Sequence, residues 1–128
     1  MEFAVGWPVA LLIVLAAVET AVWGSEAYAA RAASLAGARA GSVSGGTATV
    51  ASAVALRSLA PSLVGVTAGA WCPGQSSTPP SVWVCATDLG VSMQVDVGGS
   101  VPALVPLWPG PGLPLHAHVV LQKEAYAR

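Results

Sequence analysis

The sequence predicts an α+β protein: a long N-terminal transmembrane and stalk helix, a short second helix, and a small antiparallel β-sheet head closed by one disulfide. Three observations carry this reading. No charged residue occurs from residue 3 to residue 18. After Pro61 the hydrophobic pattern changes from helical spacing to a period of two. The only two cysteines, Cys72 and Cys85, both fall in that later region.

The uncharged run reaches Ser25 with Glu19 as its sole ionisable group, about the 20 residues that cross a bilayer as a helix. A secretory signal peptide is the competing reading, because Ala27-Tyr28-Ala29 has the small-x-small form of a cleavage site. Against it, Met1-Glu2 places an acid where a signal peptide carries a basic segment. From residue 24 to residue 41 the chain stays rich in Ala, with Arg31 and Arg39 as its only cations, so the first helix is expected to continue out of the membrane as a stalk. Along it Ser25, Ala29, Ala33, Gly37, Gly41 and Gly45 recur every four residues. Such a stripe lets helix backbones approach closely and reads as a packing seam. In so Ala-rich a chain, chance recurrence is the alternative.

Residues 42–46 break the helix, and residues 47–60 read as a second one, with Ala53, Leu56, Leu59 and Leu63 on one side and Pro61 as its stop. Val64, Val66, Ala68 and Ala70 then alternate with smaller or polar residues, as do Val91, Met93, Val95 and Val97, so both segments are expected to be half-buried strands. Residues 82–87 form a third apolar strand, joined to the Val91 strand through the turn Asp88-Leu89-Gly90. The Pro-rich residues 98–112 are expected to cross over as an apolar loop. Leu113, Leu115, Ala117, Val119 and Leu121, alternating with His116, His118 and Gln122, make the last strand. The division expected is residues 1–45 as transmembrane and stalk helix and residues 46–128 as an extracytoplasmic head.

Composition narrows the function. Of the 128 residues, 55% are hydrophobic and 9% charged, where a soluble domain carries about 25% charged. A net charge of −1 with five Lys and Arg and no basic run gives no footprint for nucleic acid. Between residues 58 and 122 only Asp88 and Asp96 are formally charged, so this surface is expected to be covered by neighbours. The crossover loop crowds Val101, Leu104, Val105, Leu107 and Trp108 together, and Trp108 is the expected interface anchor. An even cysteine count in a small exported segment points to a Cys72–Cys85 disulfide in an oxidising compartment, worth roughly 3 kcal/mol. Two buried thiols in a reducing compartment are the alternative, and zinc lacks its other ligands. His116 and His118 share a strand face but fall short of a metal set, and neither shows a Ser or carboxylate partner in sequence. No catalytic residue, cofactor, metal or small-molecule substrate is expected.

Glu2-Phe3, an apolar helix with Pro8, Glu19 at the membrane exit and the Ala-rich run to Gly37-Ala38-Arg39-Ala40-Gly41 resemble the N-terminal signature of the TadE-like minor pilins of the tight-adherence pilus system. The cysteine pair, the Val-rich alternating strand, the Val101-Pro102 crossover and a closing strand ending in Glu124 are similar across nearly the whole chain. The resemblance implies a prepilin cut shortly before the Glu, whereas here Met1 directly precedes Glu2 with no basic leader. It further implies a single-pass plasma-membrane protein whose head faces outward and which joins or primes a type IV pilus without chemistry of its own. Its partners would be membrane lipid, other pilins and pilus assembly proteins. Glu2 would pair with a neighbouring subunit's terminal amine; the plainer reading is an interfacial acid in water. Glu19 is expected to find a partner or to snorkel to the headgroups. A secreted disulfide-bonded binding domain released by signal peptidase is the alternative function.

Overall fold

In the computed structural model, residues 2–43, 45–63, 65–103 and 112–123 are described. The expected α+β architecture is present. Helix α1 (Glu2–Ser42) runs unbroken for 41 residues with Pro8 inside it. Hydroxyls along it, buried or exposed, turn back on their own helix: Thr20 Oγ1 donates to the Ala16 carbonyl at 2.9 Å, Ser34 Oγ to Arg31 at 2.8 Å and Ser42 Oγ to Arg39 at 3.1 Å. This satisfies each hydroxyl without a partner from outside the helix. Helix α2 (Ala48–Leu59) opens on Thr47, whose extended backbone and side-chain oxygen, accepting from the Val50 N–H at 3.2 Å, form an N-cap. A 3₁₀ turn (Ala60–Ser62) containing Pro61 ends it.

Four strands follow: β1 (Ala68–Ala70), β2 (Val82–Asp88), β3 (Ser92–Val101) and β4 (Leu113–Gln122), paired in the order β1-β2-β3-β4. β2, β3 and β4 are antiparallel neighbours, but β1 runs parallel to β2, so the sheet is mixed rather than wholly antiparallel. A period of two records which face a residue takes and carries no direction, which is why the parallel pair was illegible. β1 is also shorter than the expected strand from residue 64. Ala68 pairs with Val82, the first residue of β2, so earlier residues have no partner strand beside them.

The sheet lies over both helices, with α1 against β3 and β4 and α2 against β1 and β2. Its inward residues, Val82, Val84, Met93, Val95, Val97, Val101, Leu113, Leu115 and Ala117, are buried together with Ala30, Ala33 and Ala38 of α1 and Ala51, Ala55 and Leu59 of α2. Two expectations change here. The buried stripe of α2 is Ala51, Ala55 and Leu59, with Leu56 and Leu63 half-buried and Ala53 exposed, because Ala51 and Ala55 are the side chains small enough to meet Gly37 and Gly41 of α1. The second half of α1 belongs to the head's core instead of standing as a free stalk.

Candidate functional site

Among the described residues, most of the exposed large apolar side chains lie on the first half of α1. Phe3 is 84% exposed, Trp7 64% and Ile13 65%, and Val5, Val9, Leu11, Leu12, Val14 and Val18 are exposed beside them. α1 is long and apolar enough to cross a membrane. Thr20 already bonds within the helix, so a lipid environment would meet no unsatisfied hydroxyl there.

The residues singled out for processing and assembly separate into two places. Glu2 and Phe3 sit exposed at the free end of α1. Glu19 is buried, only 4% exposed, and Glu26 is 3% exposed; both have interaction partners. Of the two expectations for Glu19, the partner and not the snorkel is therefore the outcome. Trp23 marks the same level, its Nε1 donating to the Pro114 carbonyl at 2.9 Å.

The four-residue stripe also divides. Ala33, Gly37 and Gly41 are buried, Ala29 is half-buried, Ser25 is exposed, and Gly45 lies past the helix. A Cβ built on Gly37 would meet the Ala51 carbonyl oxygen at 2.6 Å and Ala55 Cβ at 2.9 Å, and one on Gly41 would meet Ala51 Cβ at 2.8 Å. The upper stripe thus receives α2 of the same chain. Lower down, Ser25, Tyr28, Ala29 and Ala33 line an open groove with Ser58 and Ser62.

On the outer face of the sheet the Cys72–Cys85 disulfide is formed. It fastens the edge strand β1, whose ladder is extended by the Trp71 N–H donating to the Val84 carbonyl at 3.1 Å. Trp71 and Trp83 meet edge-on with centroids 5.7 Å apart, and Trp83 lies across Gly98, where an added Cβ would stand 2.3 Å from its ring. Beside them Asp96 accepts from Gln94 Nε2 at 2.8 Å and is bonded to His118 Nδ1. This corrects the sequence reading, which found no carboxylate partner for either histidine. Asp96 and His118 are register mates across β3 and β4, a pairing that periodicity alone does not specify. His116 shares their face and is exposed. Among the described residues no three His, Cys, Asp or Glu side chains come together as metal ligands. Trp108 lies outside the described residues.

The β2–β3 turn carries the head's clearest electrostatic feature. Lys123 Nζ stands 2.7 Å from Asp88 Oδ1, and the Gly90 N–H donates to the same oxygen at 2.9 Å. Gly90 adopts φ of +89°, which a glycine reaches without strain. The Lys123 bond first, and the Gly90 bond second, hold the Asp88 carboxyl below its ordinary value of 3.8. The folded state therefore binds this proton more weakly than the unfolded one. The resulting stabilisation is complete above the ordinary carboxylate value and is lost as pH falls through the lowered one. Asp88→Asn is expected to remove this part of the acid-dependent loss of melting temperature. An Asp88 carboxyl that titrates at its ordinary value by NMR in the folded protein would contradict the assignment.

No family model, curated protein or solved structure matches this chain.

Proposed function

We propose that the protein is a membrane-anchored minor pilin or pseudopilin that takes part in assembling a tight-adherence type IV pilus, with a structural and not a catalytic role. The observation that carries this reading is the division of α1: residues 3–18 bare and apolar, the rest packed into a disulfide-closed head. A helix so divided inserts its bare half among lipids or neighbouring helices while the head stays outside. The signature from Glu2-Phe3 to Gly41 supplies the family, and the open groove at Ser25 and Ala29 is the part of the stripe left for a partner helix. Cell adhesion would follow from the pilus.

The alternative, a secreted domain cut after Ala29, is disfavoured by what such a cut removes. Trp23, bonded to Pro114, and buried Glu26 lie on the discarded side of an uninterrupted helix. The test uses the native host. The protein is expected in the membrane pellet after alkaline carbonate washing, with an intact mass that includes residues 3–29, and deletion of its gene is expected to remove or strongly reduce surface pili. A soluble form beginning near Ala30 establishes the secreted domain instead, and unchanged pili in the deletion strain overturn the pilin reading.

A further inference from the structure

The length of the bare segment and the burial of Glu19 together say where the head stands relative to the bilayer. Between Glu2 and Glu19 the apolar run covers residues 3–18, sixteen positions. At a rise of 1.5 Å per residue that is about 24 Å, short of the roughly 30 Å of hydrocarbon to be crossed. Glu19 does not end the apolar surface of α1, because its side chain is buried, and that of Glu26 is buried as well. The next charged side chain that α1 exposes is Arg31. From Phe3 to Trp23 the helix rises about 30 Å, which matches the hydrocarbon thickness. Tyr28, 75% exposed, and Arg31 then follow in the order suited to the headgroup layer, an aromatic ring first and a cation above it.

The sheet supplies the second half of the argument. β4 begins beside Trp23, through the bond to Pro114. It ends beside Gly41, whose neighbour Met93 is the register mate of Leu121. β4 thus rises alongside α1, and the end of the sheet holding Pro102 and Pro114 is level with Trp23. Both prolines are exposed and neither they nor Gly112 and Leu113 between them carry charge.

Resting on the membrane-anchored reading above, we infer that the base of the head, to which Trp23, Tyr28, Pro102 and Pro114 belong among the described residues, is seated in the headgroup layer of a phospholipid bilayer. With Glu19 and Glu26 buried, lipid meets no acid along the span. The burial of Glu19 thereby extends a sixteen-residue apolar run into a full crossing.

The test places one nitroxide at a time on the oxidised full-length chain in phosphatidylcholine vesicles, using Ile13→Cys, Tyr28→Cys, Pro102→Cys, Pro114→Cys and Gln122→Cys. Depth is read from collision with oxygen against a water-soluble nickel chelate. Ile13 is expected deep in hydrocarbon, Tyr28, Pro102 and Pro114 at headgroup depth, and Gln122, at the far end of β4, fully aqueous. Labels at Pro102 and Pro114 as aqueous as that at Gln122, with Ile13 still deep, overturn the seating while leaving the anchor. An aqueous label at Ile13 overturns the anchor itself and the seating with it. Pro114 serves as the second site because its bond to Trp23 uses the backbone carbonyl, which the substitution keeps.

Discussion

Gly37→Leu is expected to cost the head about 3 kcal/mol, whereas Ala32→Leu, one helical face away, is expected to change its stability by less than about 0.5 kcal/mol. The difference comes from what each new side chain meets. At Gly37 even a Cβ stands 2.6 Å from the backbone oxygen of Ala51, and backbone cannot rotate aside as a long side chain can. The two helices must separate, and the core beneath them, including Leu59 and Met93, loses its packing. Ala32 is exposed on the other side of the helix. Chemical denaturation of the full chain in detergent micelles, followed by the near-ultraviolet signal of its tryptophans, measures both. Equal stabilities for the two variants would show that α2 does not occupy the stripe, and the seam would then belong wholly to partner helices.

Opening the disulfide is expected to remove a further amount of about 3 kcal/mol, since the bond closes a loop of sequence separation 13. The loss has a definite place. β1 pairs over only three residues and only with β2, so once Cys72 is released the edge strand keeps little but its short ladder and its packing on α2. Reduction, or Cys72→Ala with Cys85→Ala, should therefore speed hydrogen exchange at Ala68, Gly69 and Ala70 by at least tenfold. Protection in β3 and β4, which pair over ten register positions, should fall much less. Exchange that rises uniformly across all four strands would show that the bond stabilises the head only as a whole. Protein from the native envelope in which both thiols alkylate freely would remove the bond and the oxidising compartment together.

Much of this fold was legible because single segments declare themselves. An uncharged run of sixteen residues reads as an apolar helix, Pro61 stops the second helix by its own chemistry, and Leu113 to Leu121 alternate so regularly that β4 was bounded correctly at both ends. The site was less legible. Asp96 and His118 are separated by 22 residues, and only the register of β3 on β4 brings them together. The recurrence of small residues was visible, but its partner was not. A stripe that accepts a helix backbone is the same in sequence whether the helix comes from the same chain or from another.

While residues 98–101, expected in the crossover loop, complete β3, the sequence by itself determined the order of helices and strands, the inward face of β4 and of β3 as far as Val97, and the cysteine pair able to bond. These follow from local propensity and from periodicity, which act over a few residues. The tertiary structure decided the direction of β1, the choice of Ala51, Ala55 and Leu59 as the buried side of α2, the use of Gly37 and Gly41 within the chain, and the burial of Glu19. Each of those depends on which surface lies opposite. A helix face or an ionisable group acquires its role from the neighbour that removes it from water, and that neighbour is chosen by the packing of the whole chain.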